Sequence, residues 1–367
     1  MVIYNLKNFN VGIVGCGGIS NVHARSIIET KKCTIVSACD LSKEHAEAFA
    51  KKFGVPGVYT DFSEMLKKEK LDILHVLTPP QAHAALTVEA LNAGVHCLVE
   101  KPFCMTVAEA DKMIEARDKN KVTLGVIHSY IFTPAIREAL KIVRAGEIGD
   151  ILAVDTIFSL YSSLGYTRHP RWYYTLQGAY FGEFVPHGLY TQLAFMGKIK
   201  KIFGITRPFA KREISEPPEL VPFSDLEIIM ESDKCLGTLF MTSNIRSQHA
   251  IIQTRIVGSK EILIANIPFA TVIRMKQTAP ETLPLLNKKT GYIEKAMSNL
   301  GPAGQLISQT ASLAGKALMG SIGYEMTHKT LVKEFVQSIE DGTAPPVTAE
   351  EGKDVVKATN MLWENIL

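Results

Sequence analysis

Three short runs in this chain combine residue types and spacing that suit chemistry. Gly15-Cys16-Gly17-Gly18-Ile19-Ser20 follows the apolar run Val11-Gly12-Ile13-Val14 and opens a segment that reads as a helix over 19–30. Glycines between a strand and a helix let the backbone approach a pyrophosphate, and the helix N-terminus offers free N–H groups and the positive end of its dipole. Ser20 stands where a third Gly or Ala is usual, which loosens the packing of helix on strand. Asp40 ends the next β-rich run, 34–39. A carboxylate there accepts hydrogen bonds from two ribose hydroxyls and repels a 2′-phosphate, so NAD is expected in preference to NADP.

The other two runs are Thr78-Pro79-Pro80-Gln81-Ala82-His83, after the strand-like 73–77, and Glu100-Lys101-Pro102, after 95–99. In an open parallel sheet, ligands bind beyond the carboxyl ends of the strands, so both runs fall beside the nucleotide. A partly desolvated lysine at Lys101 is suited to hydrogen-bond a substrate hydroxyl or exchange a proton with it.

The elements needed to position these groups are legible as far as residue 127. Strand-like runs at 11–14, 34–39, 73–77, 95–99 and 122–127 alternate with helices at 19–30, 43–53, 81–92 and 107–119. Ser42 suits an N-cap and Gly54 a stop. Such alternation implies right-handed crossovers and a parallel sheet covered on both faces: an α/β Rossmann domain. Beyond 127 the pattern changes. Pro134 opens a helix closed by Gly146, and strand-like runs follow closely at 151–160, 200–206, 225–232, 235–242, 251–257 and 261–264. Strands without intervening helices favour an α+β domain with a large, open, mainly antiparallel sheet, whose uncovered face or edge makes homo-oligomerisation, as a dimer or tetramer, an expectation. A Pro-rich loop is expected at 214–222, a helical segment at 300–323, and closing helices at 326–340 and 349–366.

Composition narrows the class. Among 367 residues there are 40 basic and 37 acidic ones, a net charge of +3, too balanced for a nucleic-acid electrostatic footprint. The absence of an 18-residue apolar stretch argues against a membrane span, and residues 1–10 lack the apolar block of a secretion signal. The six cysteines include no C-x-x-C pair, so neither a disulfide framework nor a metal site is expected, and a reducing cytoplasm suits the chain.

The succession Gly15-Cys16-Gly17-Gly18-Ile19-Ser20, Thr78-Pro79-Pro80 with His83, then Glu100-Lys101-Pro102, resembles the glucose–fructose oxidoreductase / inositol dehydrogenase / rhizopine catabolism (Gfo/Idh/MocA) family. The resemblance is strong over 10–128 and weaker after. It implies an NAD-binding domain at 1–127 and a substrate-binding and oligomerisation domain at 128–367, with the helix 349–366 packing back toward the first domain. It implies that Gly15, Gly17, Gly18, Ile19, Asp40, Thr78, Pro79, His83, Glu100 and Lys101 bind the cofactor. It also implies a cis Lys101–Pro102 bond, and an oxidoreductase moving a hydride between NAD and a carbinol carbon of a sugar, cyclitol or related polyol.

The family's D-x-x-x-H motif falls on Glu183 to His187, with Glu183 in place of Asp, Val185 in place of Gly and Tyr190 in place of a later Asp. By this resemblance Lys101, His187 and Glu183 are catalytic: His187 the base, Lys101 the donor to the reacting oxygen, Glu183 the group that orients substrate or tunes His187. If Pro186 starts a helix, Glu183 and His187 lie near its first turn, where the dipole disfavours a protonated imidazole. His128, Arg168, Trp172 and Tyr190 are candidate substrate contacts. Two rival functions are an NAD-retaining enzyme that oxidises a sugar transiently to allow elimination or glycoside cleavage, and a non-catalytic NAD-dependent regulator.

Overall fold

The computed structural model describes residues 8–159, 171–208, 223–244, 251–267, 270–277 and 322–367. Its contacts group the chain into two units. Unit 1 takes 1–132, 171–190 and 324–361, and unit 2 takes 133–170, 191–323 and 362–367. The units therefore interleave, whereas the sequence suggests one boundary at 127/128.

In unit 1, β1 (Phe9–Val14), β2 (Cys33–Cys39), β3 (Gly57–Tyr59), β4 (Ile73–Val76), β5 (His96–Val99) and β6 (Leu124–Val126) form a six-stranded sheet in the order β3-β2-β1-β4-β5-β6. Every pairing in it is parallel. All four residues of β4 are buried, as a strand covered on both faces requires. The crossovers carry α1 (Ser20–Glu29), α2 (Lys43–Phe53), α3 (Phe62–Lys68), α4 (His83–Asn92) and α5 (Val107–Asn120). Ser42 caps α2 as expected, and Gly54 ends it at φ 69°. Thr106 and Glu109 form a reciprocal capping box on α5. The sequence reading passed over β3 and α3, each seven residues or fewer and too short to show a period, although Asp61 caps α3.

The two closing helices, α8 (Ile322–Asp341) and α9 (Ala349–Glu364), belong largely to unit 1. Val126 N–H donates to the carbonyl of Val347, and Arg117 forms a two-pronged pair with Glu350 at 3.0 and 2.8 Å. A Cβ on Gly125 would meet the Phe335 ring at 2.9 Å, and one on Gly352 would meet Val126 at 2.8 Å. Small residues thus bring α8 and α9 hard against β6.

Unit 2 contains α6 (Pro134–Arg144) and a seven-stranded sheet of β7 (Ile151–Ser159), β8 (Ile199–Arg207), β9 (Asp225–Ser232), β10 (Leu236–Thr242), β11 (Ile252–Gly258), β12 (Glu261–Asn266) and β13 (Thr271–Lys276). Its order is β13-β12-β11-β7-β10-β9-β8. All pairs are antiparallel except β7 with β10, so the sheet is mixed and mainly antiparallel. A turn at 232–234 joins β9 and β10, with Ser232 Oγ accepting from Lys234 N–H and Cys235 N–H. One face carries Ile157, Phe203, Ile205 and Ile229, each more than a third exposed. The expected segments at 214–222 and 300–321 lie outside the described residues. Among the described residues no helix is long and apolar enough to cross a membrane.

Candidate active site

The glycine loop is shaped by steric necessity at one position and open space at two. Gly15 has φ +92°, and a Cβ there would stand 2.6 Å from the carbonyl of Leu77, so no other residue fits. A Cβ on Gly17 or Gly18 would meet nothing within 4 Å. These two residues face open space directly before α1. That helix has no side-chain cap and no acid in its first turn, whereas α2, α3 and α5 each have both. Its leading N–H groups and dipole are thus left for an anion. Ile19 is the N-cap residue, and Ser20 Oγ turns back to donate to the carbonyl of Gly17 at 2.5 Å.

Asp40 lies beside this loop and helps build it. Oδ2 accepts from Cys16 N–H and Oδ1 from Ser42 N–H, both at 2.8 Å. Each oxygen keeps a lone pair for a further donor. At the end of β4, Thr78 is half-buried, and its Oγ1 has no hydrogen-bond partner among the described residues. An orphaned hydroxyl, an uncapped helix and two open glycines fit the phosphates and ribose of a dinucleotide.

Two of the residues expected at the cofactor make their hydrogen bonds within the protein. His83 is fully buried, with Nδ1 2.9 Å from the carbonyl of Pro102 and Nε2 2.7 Å from that of Thr78. It braces the segment after Pro79 against the segment after Lys101, and its ring nitrogens are spent on backbone. Glu100 is likewise turned inward. Oε1 lies 3.0 Å from His23 Nε2 and 3.8 Å from His328 Nε2, while Oε2 accepts from Lys101 N–H at 3.0 Å. The two histidines hold its carboxyl well below the usual range in spite of burial. Burial depresses His23 and His75, which meet through their Nδ1 atoms at 2.8 Å. With both neutral, His75 donates to His23 and His23 donates to Glu100, which is the assignment that satisfies both contacts. His23, Glu100 and His328 are the one set of metal-ligand type among the described residues, and the 3.0 Å contact within it is a hydrogen-bond distance.

The Lys101–Pro102 bond is cis. Lys101 Nζ reaches the first turns of α7 (Tyr180–Met196), where it pairs with the Glu183 carboxylate and donates to the Glu183 carbonyl at 3.3 Å. Both partners are buried. Desolvation raises the Glu183 carboxyl to about 7, although Lys101 and Tyr173 pull the other way. Tyr173 neighbours that carboxylate, and both Glu183 and burial hold its phenol protonated.

Pro186 does not start α7. It lies inside, because Gly178 (φ 76°) and Ala179 (φ 49°) turn the chain and begin the helix at Tyr180. Glu183 is therefore in the first turn and His187 in the second. His187 is buried and edge-on to Tyr130, with ring centroids 4.4 Å apart. Desolvation first, then Lys101 and His128, hold it well below the usual imidazole range, so it is neutral at pH 7. The dipole assigned that task in the sequence reading is not needed. Phe184 lies between the two functional groups, 5.9 Å from Lys101 Nζ and 6.4 Å from the His187 ring.

Of the remaining candidates, His128 stacks on Tyr190 at 4.2 Å. Trp172 packs edge-on against Tyr173 at 4.4 Å. Arg168 lies outside the described residues. Tyr173 and Tyr130 were not singled out from sequence, since nothing in their spacing marks a phenol that faces a carboxylate or an imidazole.

Residues 9–128 match the family profile described as an oxidoreductase family with an NAD-binding Rossmann fold. A D-apiose dehydrogenase from Paraburkholderia graminis is 33% identical over 144 residues, 39% of this chain and 38% of the relative. An inositol 2-dehydrogenase from Salmonella typhimurium is 30% identical over 148 residues, 39% of this chain and 44% of the relative. These matches span less than half of either relative's length. In fold, a levoglucosan dehydrogenase complexed with NADH and L-sorbose superposes with a TM-score of 0.77 at 18% identity, covering 98% of this chain and 96% of the other. The WlbA dehydrogenase from Bordetella pertussis, complexed with NADH and UDP-GlcNAcA, gives 0.75 at 17% identity over 98% and 95%.

Proposed function

We propose, from the match of residues 9–128 to an oxidoreductase family with an NAD-binding Rossmann fold, that the chain is an NAD-dependent dehydrogenase acting on a carbinol carbon of a sugar, cyclitol or related polyol. The observation that carries this reading is the buried Lys101–Glu183 pair one helical turn from a neutral His187, in the same unit as the open glycine loop. NAD supplies, when bound, a nicotinamide ring able to accept a hydride. Gly17, Gly18 and the start of α1 receive its phosphates, and Asp40 receives the ribose hydroxyls and disfavours a 2′-phosphate.

His187, neutral at working pH, takes the hydroxyl proton as the carbonyl forms. Lys101 donates a hydrogen bond to the reacting oxygen and stabilises negative charge there. Glu183 fixes the Lys101 ammonium and, ionising near neutrality, sets the charge that His187 meets. The exposed apolar face of the seven-stranded sheet supports a homo-oligomer as the working form.

The test is a screen of neutral polyols, aldoses, inositols and uronates for NAD reduction, with His187→Ala and Lys101→Met beside the parent. A polyol oxidised by the parent and about 10²–10⁴-fold more slowly by His187→Ala, with NAD affinity kept, is expected. Equal turnover by all three proteins overturns the assignment.

A further inference from the structure

Among the described residues, His128 is the buried side chain with two ring nitrogens that lack a hydrogen-bond partner. It follows β6 and is 1% exposed. A buried polar atom without a partner is destabilising, and two on one ring are rare. The ring is not loose, because Tyr190 stacks on it at 4.2 Å with 14° between planes. Stacking covers a face and leaves both nitrogens at the ring edge. Electrostatically, His128 lies within reach of Lys101 and Glu100 and is among the groups that depress His187, so it shares the surroundings of the reacting groups.

We infer that His128 is a substrate-binding residue whose two ring nitrogens engage a neutral hydroxyl pair of a polyol, one as donor and one as acceptor. This rests on the dehydrogenase reading for what occupies the site. Desolvation takes the imidazole down to about 3, so it stays neutral through the physiological range. A neutral imidazole presents one N–H and one lone pair. A hydroxyl gives and takes, and two neighbouring hydroxyls match both edges. A carboxylate or phosphate only accepts, so at this ring it would face the bare lone pair. The subsite therefore selects neutral sugars and cyclitols over uronates and sugar phosphates. Tyr190, where the family pattern has a carboxylate, acts by fixing the ring plane.

The experiment is calorimetric titration of the NADH-loaded protein with neutral polyols, uronates and sugar phosphates, for the parent, His128→Leu and His128→Gln. Neutral polyols are expected to bind the parent best. His128→Leu should weaken them at least about tenfold, while His128→Gln, which keeps a donor and an acceptor, stays within about threefold. NADH affinity should not move. Without ligand, His128→Leu should melt at least as high as the parent, by up to about 4 °C, since it removes unpaired buried nitrogens.

The inference is overturned by unchanged polyol affinity in His128→Leu, by no polyol binding to the parent, or by preference for the anionic sugars. It is also overturned by a loss of NADH affinity, which would assign the ring to the cofactor's carboxamide, or by a lower melting temperature or failure to fold in His128→Leu. Polyol binding that depends on His128 but is never followed by NAD reduction keeps this inference and sinks the dehydrogenase reading. Turnover with a KM indifferent to His128→Leu does the reverse.

Discussion

Two buried carboxylates, one in each unit, show how differently the fold treats the same group. In unit 2, Asp225 is 7% exposed and accepts from Thr242 Oγ1 at 2.5 Å, Ser224 Oγ at 2.9 Å and Asn244 Nδ2 at 3.1 and 2.8 Å. Its donors are neutral and reach both oxygens, one from the adjacent residue and the others from the end of β10 and just beyond it. In unit 1, Glu183 is 3% exposed and pairs with the Lys101 ammonium, with the Tyr173 phenol beside it. Its carboxyl is raised to about 7. A fully bonded carboxylate ties strands together. One that shares an ammonium and a phenol, and whose carboxyl is raised toward neutrality, can change its charge, which is a property found at functional sites.

The contrast is broken most directly at Lys101. Lys101→Met should lower turnover of a competent polyol by about 10²–10⁴-fold while the protein still folds, because Glu183, stripped of its cation, takes up a proton instead of remaining a buried charge. Steady-state kinetics and circular dichroism check the two halves. A large loss of stability with little loss of rate would make the pair structural, like Asp225.

At Asp225 the opposite is expected. Asp225→Ala strands two buried hydroxyl donors, Ser224 and Thr242, and should cost about 2–4 kcal/mol in urea unfolding, with kcat/KM changed by no more than about twofold. The smallest effect sharpens the comparison through pH. The Glu183 carboxyl is raised from 4.5 to about 7. The folded state therefore binds more protons than the unfolded state between those values. The stability this adds is fully present below about 4.5 and is lost as pH rises through about 7. Glu183→Gln should remove that decline, with an upper bound of about 3 kcal/mol, at about 1.4 kcal/mol per pH unit. Unfolding curves of parent and variant that run parallel from pH 4.5 to 8 would contradict the raised value.

What the sequence determined alone was local or periodic. Alternating strands and helices to residue 127, the glycine turn, the Ser42 and Gly54 caps and the close run of strands after 150 all depend on neighbours a few residues apart, and the fold keeps them. The nucleotide-binding character of the first domain was legible for the same reason, since a glycine loop at a strand end has positional meaning in a parallel sheet.

Only the tertiary structure decided the rest. The inward turn of Glu100 onto His23 and His328, the use of His83 as a brace, the interior place of Pro186, and the adjacency of Lys101 to Glu183 join residues up to 228 positions apart. Burial, which sets whether His187 and His128 are charged and whether a nitrogen finds a partner, is a property of everything packed around a side chain. No spacing within the chain encodes it.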